Sequence, residues 1–224
     1  MQNKFAKKDA LTERVEDGIK KEKKRRDSVK NIELFHPSQL TECTRKSIYR
    51  VYGEPYELDV FEAEHQKYAK QKWLDFFETS RIAKLIDTDI DAADTTYNLA
   101  SRVDGILRIG ELTFVILIKS LSTEEFQRIK EQEIHRRDIV ELILDMWLVE
   151  VHHGLLLYED RTTNEITTFH ILPYPSIINA ACRKCRELYD NKIKGIIPER
   201  PYDSPDSKEC LTCNFKETCW NREQ

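Results

Sequence analysis

Leu112-Thr113-Phe114-Val115-Ile116-Leu117-Ile118 leads into Lys119 with a single polar side chain among its seven residues. Gly110-Glu111 just before it supplies a tight turn. A short apolar run rich in β-branched residues, following a turn, predicts a central strand buried on both faces. Lys119 then sits where an ammonium is costly without an anion or water. The preceding segment, 97–109, alternates loosely and carries Asp104, which the turn brings across from the apolar strand. Asp104 is therefore the expected partner of Lys119. One reading of the pair is hydrolytic: carboxylates hold a hard cation while the lysine orients the attacking water. The plainer reading is a lysine snorkelling off a strand end and an aspartate in a turn with Gly105.

Working outward, residues 122–150 read as one long helical stretch, polar first and then apolar through Ile139, Leu142, Ile143, Met146 and Trp147. Leu155–Tyr158 and Ile166–Ile171 read as a hairpin around Thr162-Thr163-Asn164, and a helix is expected from Pro175 to about Lys194. Upstream, Ser38 stands as a helix N-cap with Gly53 as the stop, and a second helix covers about Glu62 to Leu85. Leu11, Val15 and Ile19 give residues 9–27 a thin apolar helical stripe. Helices followed by strand–strand–helix–strand–strand–helix make the class mixed α/β.

The chain has 224 residues, 40% hydrophobic and 34% charged, which is enough apolar sequence for a real core. Six glycines and seven prolines are too few for collagen-like, low-complexity or many-stranded all-β classes. No apolar run approaches a membrane span and no apolar signal region follows the start, so no membrane partner and a cytoplasmic location are expected (the host cytoplasm for a viral source). Net charge is −4, but residues 1–30 alone hold 11 Lys/Arg against 6 Asp/Glu. Lys20, Lys21, Lys23, Lys24, Arg25 and Arg26 are the densest part of this basic helical arm. Such a run is either a solvated helix face or a phosphate-contacting patch.

Six cysteines in a non-secreted chain point to metal or redox chemistry rather than disulfides. Cys210-x2-Cys213-x5-Cys219 lies in a Pro-punctuated tail with little apolar sequence, which would gain order from a shared metal centre. Three thiolates leave a four-ligand site one short. Cys43 could complete it, or Cys182-x2-Cys185 could pair with Cys210-x2-Cys213 as a zinc site. Cys182 and Cys185 are also readable as two small packed residues on one helix face.

Taken together, these motifs resemble the RecB-like nucleases of the PD-(D/E)xK superfamily, closest to the CRISPR-associated iron–sulfur exonucleases. The residues that carry the likeness are His36-Pro37-Ser38-Gln39-Leu40-x2-Cys43, Arg102-Val103-Asp104-Gly105-Ile106-Leu107, the strand ending in Lys119, and Leu157-Tyr158-Glu159. Gly195-x2-Pro198-x2-Pro201 then leads into the three tail cysteines. The resemblance spans roughly residues 35–220. It implies a restriction-endonuclease-like mixed sheet flanked by helices over 31–224, with the arm 1–30 in front and an iron–sulfur tail behind. It also implies a [4Fe–4S] cluster on Cys43, Cys210, Cys213 and Cys219, tying both ends together and leaving Cys182 and Cys185 outside.

Three catalytic elements depart from the family pattern. Leu117 stands where a glutamate two residues before the lysine is expected, so both would share one strand face. Ala69 and Trp73 replace a Gly-x3-His pattern on the preceding helix, and Asp138 and Leu142 replace a Gln-x3-Tyr pattern on the following one. Mg²⁺ and Mn²⁺ need several hard oxygens, and Asp104 is then the one assured metal ligand. Glu124, Glu125, Glu131 or Asp138 could supply a relocated carboxylate, with Glu111 less well placed. Three functions follow: a catalytically impaired protein binding DNA or a protein partner in a nucleoprotein assembly, an active Mg- or Mn-dependent DNA exonuclease working through Asp104 and Lys119, or an architectural subunit reusing the fold.

Overall fold

The computed structural model describes residues 34–53, 60–131 and 134–221. The arm 1–30, with its expected helix over 9–27 and its Lys20–Arg26 cluster, lies outside the described residues. Everything below belongs to the compact unit Phe35–Gln224.

A five-stranded mixed sheet forms the centre, with strands in chain order: β1 (Lys84–Asp94), β2 (Leu99–Ile109), β3 (Leu112–Leu121), β4 (Gly154–Asp160) and β5 (Ile166–Ile171). All neighbours are antiparallel except β3 and β4, which run parallel. The crossover between those two is made by α3 (Thr123–Lys130) and α4 (Arg136–Leu148). The apolar run is β3, and its alternation serves two faces. Val115, Leu117 and Leu121 pack with Phe126, Ile129, Leu142 and Met146 of α3 and α4. Ile116 and Ile118 pack on the other face against Ala69, Leu74 and Phe77 of α2 (Val60–Thr79). A strand covered on both sides has no position for a polar residue until its end, where Lys119 stands.

The expected single helix over 122–150 is two helices. Ser122 and Glu125 make a reciprocal capping box that starts α3, and His135 sits at the N-cap of α4. The helix expected to start at Ser38 is likewise split. His36 caps a 3-10 turn, Pro37–Thr41, and α1 (Thr44–Val51) follows with Cys43 at its N-cap. Strand β1 was not expected: its exposed face carries Asp87, Asp89 and Asp91, and it forms one edge of the sheet. α4 reaches the sheet through Gly154, where a Cβ would meet Met146 Sδ at 2.7 Å and Leu142 Cδ2 at 2.8 Å. Beyond α4, a third apolar cluster joins Phe35 and Ile48 to Val140, Leu144, Ala181 and Leu188, so α1 and α5 (Pro175–Ile193) close the outer layer. Two short helices, α6 (Lys208–Leu211) and α7 (Lys216–Asn221), carry the tail cysteines or flank them. Among the described residues, no helix is long and apolar enough to cross a membrane.

Candidate functional site

Backbone pairing between β2 and β3 runs from Ile109/Leu112 to Gly105/Ile116 and stops there. Past that point side chains take over the ladder. Asp104 Oδ2 accepts the Ile118 N–H at 2.9 Å. The Gln66 side-chain amide, from α2, accepts the Ser120 N–H at 3.0 Å and donates to the Ser120 carbonyl at 2.7 Å. The strands therefore part at Asp104 without leaving β3's polar groups bare.

Asp104 and Lys119 both lie at this opening, but they are not each other's partners. Lys70 of α2 reaches Asp104 Oδ1 at 3.1 Å and Asp89 Oδ1 at 2.7 Å, and Arg102 Nε adds a 3.2 Å contact to Asp89. Lys119 Nζ instead donates to Glu141 Oε2 of α4 at 2.9 Å. Burial pushes the Asp104 carboxyl above its ordinary range, outweighing the opposing pull of Lys70 and of the Ile118 N–H. Burial disfavours the Lys119 ammonium, yet Glu141 and then Asp138 overcome that cost and hold its pKa above the usual lysine value. Leu117 is buried in the apolar cluster under α4, so its position offers no oxygen.

α4 presents Asp138, Glu141 and Asp145 along one buried face. Asp138 accepts the Tyr158 hydroxyl at 2.9 Å and lies 3.4 Å from Arg137 Nε. Asp145 is raised to about 7, first by burial and then by the charges of Glu141 and Asp104, against a Ser101 hydrogen bond. Of the relocated carboxylates weighed above, Glu125 is spent on capping α3, and Glu124, Glu131 and Glu111 are exposed. Only Asp138 turns inward, and Tyr158 and Arg137 engage it. Glu141, which the sequence reading passed over, is the acid that meets Lys119. A polar stripe at 138, 141 and 145 within an apolar helix was its available signal.

These residues do not fit a Mg²⁺ or Mn²⁺ centre. Two ammonium groups neutralise the two nearest carboxylates, and no three His, Cys, Asp or Glu side chains among the described residues are grouped to hold one metal ion.

The cysteines lie in another part of the fold. Cys43, Cys210, Cys213 and Cys219 all line one cavity of about 640 Å³ between α1 and the tail. Tyr49 and Phe215 stack at 5.7 Å beside it, while Arg200 donates twice to the Cys219 carbonyl and covers the Trp220 ring at 4.7 Å. Arg45, Lys46 and Lys216 line the cavity together with Glu42 and Glu209, with Lys46 paired to Glu42 at 2.8 Å. Burial raises the Cys213 thiol, with Cys43 and Cys210 adding to the effect as neighbours. The four thiols thus share one cavity, but among the described residues they are not grouped closely enough to hold a single metal ion. Cys182 and Cys185 do not line it. α5 turns Ile177, Ala180, Ala181 and Lys184 to the cavity, whereas Cys185 is buried in the apolar cluster and pushed up to about 12. The zinc pairing of Cys182 and Cys185 with the tail is therefore not formed.

No protein-family profile and no curated protein matches the chain. Solved structures do. Crystal structures of SSO0001 (15% identity, TM-score 0.54, 85% of this chain and 87% of that one) and of the LHK-Exo alkaline exonuclease of Laribacter hongkongensis in complex with dAMP (14%, 0.57, 75% and 91%) share its fold. So does a phage-related exonuclease from Haemophilus somnus 129PT (10%, 0.53, 72% and 96%). The chain thus shares the fold of these structures, exonucleases among them: a mixed five-stranded sheet flanked by helices, the architecture expected of a restriction-endonuclease-like fold.

Proposed function

We propose that this chain is a RecB-like nuclease-fold protein that binds DNA, with its cleavage chemistry impaired and an iron–sulfur cluster retained as a structural tie. One observation carries the reading: the Lys70 ammonium sits on Asp104 while Leu117 fills the neighbouring core. A fixed cation stands among the carboxylates that a catalytic dication would need. DNA as partner is supported by the fold shared with exonucleases, one of them complexed with dAMP, and by the basic run Lys20–Arg26. Cys43, Cys210, Cys213 and Cys219 would hold the [4Fe–4S] cluster, whose contribution when bound is to fasten the tail to α1. Lys46, Arg45 and Arg200 would offset its charge.

Cleavage of end-labelled single- and double-stranded DNA with Mn²⁺, by anaerobically purified protein beside Lys119→Ala, tests the proposal. No Lys119-dependent cleavage is expected. DNA affinity should fall steeply with salt, and neutralising Lys20, Lys21, Lys23, Lys24, Arg25 and Arg26 should flatten the log–log slope by up to about 5. A second reading has one observation in its favour. Glu141 at Lys119 is a relocated acid, and an active Mg- or Mn-dependent exonuclease would use it once the ion pair opened. Cleavage lost in both Lys119→Ala and Glu141→Gln would select that reading over the first.

A further inference from the structure

Phe114 on β3, His153 just before β4 and His170 on β5 stand side by side at one end of the sheet. Val115 pairs with Gly154 and Leu155 with His170, so the three side chains issue from the same face. Phe114 lies 5.3 Å from each imidazole, ring centre to ring centre, and the two imidazoles are 5.2 Å apart. His153 Nδ1 faces His170 Nε2 at 3.1 Å. Neither ring belongs to the Asp104–Lys119 opening, and neither lines the cysteine cavity.

We infer that His153 and His170 form a two-nitrogen binding site for a borderline transition-metal dication, of the Zn²⁺, Ni²⁺ or Cu²⁺ class. Imidazole nitrogens bind such ions at about 2.0–2.1 Å, so two cis ligands stand about 2.9 Å apart at a right angle and about 3.3 Å apart at the tetrahedral angle. The observed 3.1 Å lies between those values. In the metal-free pair one nitrogen donates a hydrogen and the other accepts it. Binding needs the facing N–H to give up its proton, to the ring's other nitrogen or to water, after which both facing atoms present lone pairs. Phe114 walls one side, and β5 is the outermost strand, so water can complete the coordination from the open side. A purely imidazole donor set selects these ions over Mg²⁺, Ca²⁺ and Mn²⁺, which prefer oxygen.

The test is Zn²⁺ titration of the full-length protein, prepared anaerobically, with the imidazole nitrogens followed ring by ring in long-range ¹H–¹⁵N spectra. Zinc taken by thiols moves neither ring and cannot imitate the result. His153 Nδ1 and His170 Nε2 should shift together with one saturating step. His153→Ala and His170→Ala should each weaken that step at least about tenfold. His152→Ala, at the neighbouring exposed position, should leave it unchanged. Rings that stay unmoved in the wild-type spectra through millimolar Zn²⁺ would overturn the assignment. So would a shift at one ring that persists with equal affinity when the other is alanine.

Discussion

Asp145 shows how one side chain can register the state of the opening. Its Oδ1 has no hydrogen-bond partner among the described residues, and Glu141 and Asp104 add negative charge nearby. A carboxyl held near 7 in the folded protein keeps a proton that the unfolded chain gives up near its ordinary value. Between about pH 4 and pH 7 the unfolded state therefore binds fewer protons, and stability falls as pH rises across that window, then levels off. Asp145→Asn should remove this slope and stabilise the protein at pH 8 by up to about 4 kcal/mol. Urea midpoints measured from pH 4 to pH 8 check it; an unchanged slope would place the proton elsewhere. The site was legible at this scale only in part. Asp104 and Lys119 stand out because one strand is apolar up to its last turn. Lys70 and Glu141 do not, because each is one charged residue on a helix, and only tertiary packing brings it to its partner.

At the scale of elements, the clearest strand in the sequence is also the one buried on both faces. β3 could be read directly, whereas β1 could not: its face of alternating aspartates looks outward, and it packs no continuous apolar run. The break between α3 and α4 does not show in the hydrophobic pattern, because both helices are apolar toward the same layer and the interruption is written in caps. Two side-chain devices fix where helices meet the sheet. Gly154→Ala should cost about 1–3 kcal/mol by pushing a methyl group into Met146 and Leu142, with thermal melts as the readout. Gln66→Ala removes the amide that pairs with both polar groups of Ser120 and should cost about 1–3 kcal/mol. Hydrogen exchange at the Ser120 amide should rise in that variant; protection equal to wild type would mean that another group pairs with it.

Across the whole molecule, the tail has little apolar burial of its own beyond Phe215, which is fully buried against Tyr49. The Tyr49–Phe215 contact links α1 to the tail beside the cavity that the four cysteines line, and on the proposed reading a cluster there would add a second tie. If the proposed cluster is bound, Cys213→Ala should abolish iron and sulfide and expose the tail to protease, while the sheet's own melting transition persists. Retained iron at wild-type stoichiometry would remove Cys213 from the ligand set. The spacing of Cys210, Cys213 and Cys219 could be read as a ligand cluster, but spacing alone left Cys43 and the Cys182/Cys185 pair as rival completions. That Cys43 shares the tail's cavity is a product of tertiary packing.

The strands stand in the sheet in the order in which they occur along the chain. Each new strand therefore finds its neighbour already in place, and most pairings close short loops, a topology associated with quick folding. Contacts between the two ends of the unit are the exception: Phe35 and Ile48 share a core cluster with Ala181 and Leu188 across about 130–150 residues of chain, so they close long loops. Folding should then proceed from the sheet outward, with the ends brought together last. On the proposed reading, an iron donor would then meet a body already assembled, and cluster insertion would act as the latch that closes it.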